Sequence, residues 1–286
     1  MKDLIERADN LIEALPYIQK FQGKIMVIKY GGNAMVNGEM LASVLKDIAL
    51  LKYVGIKPVM VHGGGPAISE SLDRLGLESY FHKGLRVTDQ ETMAVVRESL
   101  VGQVNTRIVD YAGLAGTKAV GLSGSDGSLI VARKYFDGTD FDYGYVGEVD
   151  RINPVIIETM LTAGYFPIIA PVGVDQSGNS YNINSDLVAG EIAAALKAEK
   201  LIVLTNTDGI LADKNDPESR ISRLKLPEIE EMIASGRIAG GMLPKVKACK
   251  TALQNQVNRT HILDGRQEHA LLLEIFTAHG IGTMIN

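Results

Sequence analysis

The chain has 286 residues, 46% hydrophobic and 22% charged, with a formal net charge of −5, so it carries one large or two small domains with an ample core, and disorder is excluded. The acidic balance argues against general nucleic-acid binding, which needs a basic footprint; any anionic ligand must find its cations at a few positions. No apolar stretch nears the ~18 residues of a membrane span, the segment Met1-Lys2-Asp3-Leu4-Ile5-Glu6 lacks a signal peptide's apolar region, and the single Cys249 excludes a disulfide framework, so a cytoplasmic location is expected.

Leu4, Ile5, Ala8, Leu11, Ile12 and Leu15 recur at helical spacing and predict an amphipathic helix over residues 3–20, broken near Pro16. It is not needed for a βαβ unit, so it either folds onto its own domain or packs against a partner subunit. Strand 25–29 then leads to a helix over 40–54, strand 57–62 and a helix over 66–75. Helices over 89–100 and 103–114 and a strand over 117–121 follow. Short β-rich pieces with Gly, Asp and Tyr over 127–152 suggest hairpins. Helix 154–163, strand 166–170, a helix from Leu187 to Ala198 and strand 200–205 restore the alternation. Helices 227–235 and 243–256, strand 259–263, a short helix and a last strand close the chain. Such alternation marks a mostly parallel sheet covered on both faces, with ligands outside the carboxyl ends of its strands. The turns after residues 29, 62 and 205 therefore share one edge, and two lobes meet near 175–185.

Two apolar runs end in glycines: Ile25-Met26-Val27-Ile28-Lys29-Tyr30-Gly31-Gly32-Asn33 and Val59-Met60-Val61-His62-Gly63-Gly64-Gly65-Pro66. Glycines after a buried strand bring bare backbone N–H groups close to a ligand, and a helix that follows favours anions. Two such turns on neighbouring strands suit a site holding two anionic groups face to face, as group transfer requires. The sequence contains no G-x-G-x-x-G after the opening strand, no P-loop, no zinc spacing and no nucleophile elbow. The five histidines, His62, His82, His261, His269 and His279, are scattered and read as ordinary.

Three cations stand out by context. Lys29 ends a buried strand, so its ammonium should emerge at the carboxyl edge. Lys245 follows Ala239-Gly240-Gly241-Met242-Leu243-Pro244 into a helix's first turn, where it opposes the dipole unless an anion compensates; a solvated surface lysine is the alternative. Arg86 precedes a cap at Thr88 or Asp89, and its planar fork suits a ligand carboxylate or a structural ion pair. Asp186, two residues after a cap at Asn184, either stabilises its helix or holds one or both lysines. Asn182 presents its amide to a ligand or makes a turn.

The ordered motifs Lys29-Tyr30-Gly31-Gly32-Asn33-Ala34-Met35, His62-Gly63-Gly64-Gly65-Pro66, Gly84-Leu85-Arg86-Val87-Thr88, Asn182-Ile183-Asn184-Ser185-Asp186, Leu204-Thr205-Asn206-Thr207-Asp208-Gly209-Ile210 and Gly240-Gly241-Met242-Leu243-Pro244-Lys245 resemble the acetylglutamate kinase branch of the amino acid kinase family, from about residue 16 to the C-terminus. The resemblance implies an α/β three-layer sandwich with a mostly parallel sheet and two lobes. Residues 1–22 would form an oligomerisation helix, 23–180 a lobe for the acetylated amino acid and 181–286 a nucleotide lobe. It implies transfer of the ATP γ-phosphoryl group to the side-chain carboxylate of N-acetyl-L-glutamate, a step of arginine biosynthesis. Lys29, Lys245 and Asp186 would be catalytic, and Gly64, Gly65, Arg86 and Asn182 would hold the substrate. Gly31, Gly32, Thr205, Asn206, Thr207, Asp208, Gly209, Ile210 and Leu211 would bind the nucleotide. Mg²⁺ would ride on phosphates and water, with no direct protein ligand. An extra N-terminal helix goes, in this family, with hexamers built as trimers of dimers and inhibited by L-arginine; Tyr17, His261, Glu274 and Gly280 would line that effector site. Docking of a P-II-type regulatory protein stays open. Alternatives are another family member acting on a different carboxylate or carbamate, a non-catalytic arginine or nucleotide sensor, and a dinucleotide-dependent oxidoreductase, the last weakened by the missing fingerprint.

Overall fold

The computed structural model describes residues 1–31, 37–213, 215–278 and 280–286; Gly32, one of the expected nucleotide-site residues, lies outside them, as do Asn33, Ala34, Met35 and His279. Helix α1 (Lys2–Phe21) precedes β1 (Ile25–Tyr30), α2 (Gly38–Tyr53), β2 (Lys57–His62) and α3 (Gly65–Leu75). A small hairpin, β3 (Phe81–His82) and β4 (Leu85–Arg86), leads to α4 (Gln90–Arg97), a π-helical segment over Glu98–Asn105 and α5 (Thr106–Leu114). Then come β5 (Ala119–Leu122), β6 (Ile130–Lys134), β7 (Gly147–Ile152), α6 (Val155–Thr162), β8 (Phe166–Ile169), β9 (Val172–Val174) and β10 (Ser180–Asn182). The chain closes through α7 (Ser185–Ala195), β11 (Lys200–Thr205), β12 (Arg223–Leu224), α8 (Leu226–Ala234), α9 (Met242–Gln254), β13 (Arg259–Asp264), α10 (Ala270–Phe276) and β14 (Thr283–Ile285).

An eight-stranded sheet in the order β12-β14-β13-β11-β1-β2-β8-β5 forms the centre, parallel throughout except at β13–β14. Because β1 lies between β2 and β11, the turns after Tyr30, His62 and Thr205 share one edge, as the alternation predicts. Strand side chains alternate between faces. Val27, Val59, Val61, Leu201 and Val203 pack on one side with α7 and α9, while Met26, Ile28, Tyr30, Met60, Ile202 and Leu204 pack on the other with α2, α5 and α10. Both faces are covered, which is why these strands read as continuous apolar runs.

A second sheet, β10-β9-β6-β7, accounts for the β-rich segment: β6 and β7 form the expected antiparallel pair. Three expectations need correction. Pro16 does not break α1, which runs through it to Phe21; this far along, loss of one backbone donor is outweighed by the packing of Tyr17, Ile18 and Phe21 against the core. The helices expected at 89–100 and 103–114 form one run whose middle is π-helical. The helix expected over Leu187–Ala198 spans Ser185–Ala195: Asn184 is the cap that the sequence predicts, its side chain accepting from the N–H groups of Asp186 and Leu187 at 2.9 and 3.3 Å, and the chain leaves the helix at Leu196, short of Ala198.

The contact between α7 and α9 positions the site. It is close because Gly190 lacks a Cβ: one added there would lie 2.7 Å from the Ala248 carbonyl oxygen and 2.8 Å from its Cα. Gly190→Ala should therefore destabilise by about 1–3 kcal/mol and lower the urea midpoint. Gly113→Ala, where an added Cβ meets nothing within 4 Å, should leave the stability unchanged or raise it by up to about 1 kcal/mol of helix propensity, so its midpoint does not fall. Equal midpoints for the two variants would refute close packing at Gly190.

Candidate active site

Lys29 stands on the face of β1 that carries Val27, so its side chain turns toward α7 rather than α2. There the first turn of α7 presents Asp186, and the first turn of α9 presents Lys245. Lys29 Nζ lies 2.9 Å from Asp186 Oδ1 and Lys245 Nζ 3.0 Å from Oδ2, with all three side chains largely buried. The Lys245 contact is a hydrogen bond; the Lys29 contact is as short but poorly aligned, leaving Oδ1 without a directed donor. Coulomb attraction needs no alignment, so at this distance the pair is held by charge. One carboxylate thus pairs with two ammonium groups brought from two elements, and the triad keeps a net positive charge.

Burial would raise the Asp186 carboxyl, but the two lysines outweigh it and hold the group below its ordinary value of 3.8. Burial, helped by the charge of Lys245, lowers Lys29 from 10.5 against the pull of Asp186. Space for the Lys29 ammonium comes from Gly31, where an added Cβ would lie 2.5 Å from Nζ.

Beside this triad a cavity of about 380 Å³ is lined by Gly63, Gly64, Gly65, Arg86, Leu100, Asn182 and Ser185 among others. Its floor is the N-terminus of α3. Pro66 has no N–H, and the N–H groups of Gly64 and Gly65 have no hydrogen-bond partner among the described residues. Free amides at the positive end of a helix dipole attract an anion. Opposite them, the Arg86 guanidinium donates to Ser79 Oγ, to Ser69 Oγ at 2.8 Å and to the Gly65 carbonyl at 3.1 Å, and lies 4.6 Å from the Phe81 ring centroid. Hydroxyls, a carbonyl and a ring hold it, and among the described residues no ion pair does, which leaves its charge for a ligand. Asn182 Nδ2 donates to Thr88 Oγ1 at 3.3 Å, and Thr88 Oγ1 donates to the Arg86 carbonyl at 2.7 Å. Asp89, not Thr88, caps α4.

Thr205, Asn206, Thr207, Asp208, Gly209, Ile210 and Leu211 follow β11 on the same sheet edge but do not line this cavity. Gly265 N–H donates to the Thr205 carbonyl at 2.7 Å, and Ile210 N–H to Thr283 Oγ1 at 2.8 Å, so the turn is tied to the residue after β13 and to the start of β14. No group of three or more His, Cys, Asp or Glu side chains suited to a metal occurs among the described residues.

A second cavity, of about 430 Å³, lies at the opposite end of the sheet. Tyr17, His261, Glu274 and Gly280 all line it, together with Lys20, Phe21, Lys200, Arg223 and Arg259. His261 Nδ1 is 2.8 Å from Glu274 Oε1, and its Nε2 is 3.1 Å from Lys200 Nζ. Burial pushes Lys200 down to about 8 although Glu274 opposes it. Lys200 is absent from the expectations; its place at the mouth of a buried strand, like that of Lys29 at the other end, was the available signal. Leu100, Ser69 and Ser79 are also new, contributed by packing that spacing does not show.

The amino acid kinase family model matches residues 24–264, and the chain belongs to that family. It is 54% identical over 288 residues to the acetylglutamate kinase of Moorella thermoacetica, covering 98% of this chain and 97% of that protein. Among solved structures it resembles N-acetylglutamate synthase from Neisseria gonorrhoeae complexed with coenzyme A and N-acetyl-glutamate, at TM-score 0.85 and 28% identity, over 97% of this chain and 63% of the synthase chain. The same synthase complexed with coenzyme A and L-arginine matches at TM-score 0.80 and 26% identity, over 97% of this chain and 65% of that one.

Replacing Asp186 by Asn removes the negative partner of two buried cations. The variant should lose about 3–5 kcal/mol of stability at neutral pH. Because the Asp186 value is depressed in the folded chain, that wild-type advantage is complete above pH ~4 and fades as pH falls below it. Urea unfolding of both proteins at pH 7 and pH 3 tests the triad; a gap that is constant or larger at pH 3 would contradict it.

Proposed function

We propose that the triad and the adjoining cavity transfer the γ-phosphoryl group of ATP to the side-chain carboxylate of N-acetyl-L-glutamate, yielding ADP and an acyl phosphate in arginine biosynthesis. The observation that carries this is the pair of ammonium groups sharing the Asp186 carboxylate beside a cavity with free α3 amides. A carboxylate oxygen attacks the γ-phosphorus, the bond to the bridging oxygen breaks, and ADP leaves with the electron pair. The acceptor is ionised at neutral pH, so no proton moves and no general base is needed. What remains is alignment and charge neutralisation as two anions approach.

Lys29 and Lys245 neutralise charge on the phosphoryl group in flight, and Asp186 fixes both. Arg86 takes the substrate α-carboxylate; Asn182 and Gly65 hold the rest, and Gly64 stands where the substrate's reacting carboxylate meets the phosphoryl group. Gly31, Gly32 and Thr205 to Leu211 hold the nucleotide. The Asp186 oxygens already face two ammoniums, so Mg²⁺ enters with ATP, carried by phosphate oxygens and water as part of the substrate. No helix among the described residues is long and apolar enough to cross a membrane, in keeping with a cytoplasmic setting.

The second cavity takes L-arginine as an inhibitor. Its several cations suit an α-carboxylate and Glu274 suits a guanidinium, and the similar synthase has been solved with L-arginine bound. Leu4, Ile5, Leu11, Ile12 and Leu15 of α1 are exposed, an apolar face that would be covered in a homohexamer, a trimer of dimers. Residues 1–22 serve assembly, 23–180 the amino-acid lobe and 181–286 the nucleotide lobe. A P-II-type protein is a further candidate regulator, without a surface assigned to it.

A coupled ADP-release assay with N-acetyl-L-glutamate should give turnover that falls by about 10²–10³ in Lys29→Ala or Lys245→Ala. Turnover equally good with aspartate, glutamate, carbamate or UMP would place the chain elsewhere in its family, and ligand binding without any turnover would make it a sensor. Deleting residues 1–20 should shrink the particle in light scattering; an unchanged mass would end the idea of α1-mediated assembly.

A further inference from the structure

His62 closes β2 immediately before the glycine turn, and its side chain lies on the face opposite Lys29 and Val61. It is fully buried. Its hydrogen bonds form a chain in which every proton has one possible place. Asn105 Nδ2 donates to the Ile168 carbonyl at 2.9 Å, and a carbonyl can only accept, so the amide orientation of Asn105 is decided. Asn105 Nδ2 also lies 3.0 Å from His62 Nε2. A donor on that side makes Nε2 the acceptor, and a neutral imidazole then carries its proton on Nδ1. His62 Nδ1 is 2.6 Å from the Gly63 carbonyl oxygen, to which it donates. Burial lowers the ring to about 4, overriding the Gly63 contact, so this neutral tautomer holds throughout the working range.

The C=O and N–H of a trans peptide point in opposite directions. A Gly63 carbonyl held toward His62 therefore aims the Gly64 N–H away from His62, toward the face where the Lys29 ammonium sits. That N–H is one of the two unpartnered amides at the head of α3. Gly31 confirms the proximity: an added Cβ there would lie 2.5 Å from Lys29 Nζ and 3.8 Å from Gly63 Cα.

We propose that His62 and Asn105 are positioning residues for phosphoryl transfer: through the Gly63 carbonyl they lock the Gly63–Gly64 peptide so that the Gly64 N–H points at the transferring group beside Lys29. The inference rests on the reading of this site as the phosphoryl-transfer centre. Two features away from the reaction serve the lock. Gly121 leaves room for Asn105, since an added Cβ would meet Asn105 Oδ1 at 2.0 Å. The π-helical segment brings Leu100 against Gly64 and Asn105 beneath His62; α-helical geometry would turn residues five apart by about 140° from each other, whereas i→i+5 bonding sets them on nearly the same side.

Two variants separate this role from simple packing. His62→Leu keeps the bulk and loses the donor; His62→Asn keeps a donor at the position of Nδ1. With N-acetyl-L-glutamate and ATP, His62→Leu should lower kcat about 10–100-fold, less than outright loss of an oxyanion donor, with KM for N-acetyl-L-glutamate within about threefold of wild type. His62→Asn should recover most of kcat. A His62→Leu enzyme with wild-type kcat, or a folded His62→Asn as slow as His62→Leu, would overturn the proposal. ¹⁵N spectra of histidine-labelled wild-type protein test it without any variant: His62 should show a protonated Nδ1 and a bare Nε2 from pH 5 to 8, and the opposite tautomer refutes the lock. A wild-type protein without turnover would sink the functional reading, while the spectra would still decide the tautomer.

Discussion

Everything at the active edge depends on one buried carboxylate facing two ammonium groups. Removing three charges from water is costly, and their mutual attraction offsets that cost only when geometry is held tightly. Here the holding is distributed. β1 brings Lys29 up through the core, the Asn184 cap fixes where α7 begins and so where Asp186 points, and the Gly190–Ala248 contact brings α9 close enough for Lys245 to reach. The triad keeps a net positive charge beside the amides at the head of α3. Under the proposed function a substrate anion would complete its neutralisation.

The same edge collects its second source of positive potential from bare backbone. The head of α3 has amides without a partner among the described residues because a helix's first turn offers them no intrahelical acceptor, and Leu100 packs where a Gly64 side chain would stand, 2.2 Å from an added Cβ. Side-chain ammoniums from one face of the sheet and backbone amides from the next turn meet across the gap between β1 and β2. Neither set requires a metal-binding cluster, and the overall negative charge of the chain is no obstacle, because the cations that matter are few and focused.

Much of this was legible in sequence because it depends on short-range rules. Ile25–Lys29 and Val59–His62 read as buried parallel strands, and parallel strands must end on one side. Lys29 at the end of such a run could emerge only there, and Lys245 in a first turn demanded a compensating anion, which proved to be Asp186. The rest is tertiary. Pro16 looked like a helix end because the cost of proline is local while the packing of Tyr17, Ile18 and Phe21 is not. The π-helical stretch carries no composition signature, since its wider turn answers to what Leu100 and Asn105 must touch. His62 read as one scattered histidine among five, because its partners Asn105 and Ile168 are distant in the chain.

The two cavities are joined by paired strands of the central sheet. β11 begins with Lys200 in the basic cavity and ends with Thr205 on the active edge; β13 runs beside it from Arg259 to Asp264. Phe21, at the end of α1, lies under the Lys200 ammonium at 5.3 Å, and only three residues separate it from β1, which pairs with β11 from Met26↔Lys200 onward and carries Lys29 opposite Val203. Strands in one parallel sheet cannot slide singly without breaking their shared hydrogen bonds. A ligand that draws Lys200 and Arg259 inward or shifts α1 would therefore act on β1 and β11 together, the two strands whose ends set Lys29 beside the turn that follows Thr205. Coupling of this kind needs a second arrangement of the same strands, one that the ligand binds better than the first, and α1 is the element best placed to supply it: its C-terminal half is packed into the core and its N-terminal half presents its apolar residues outward.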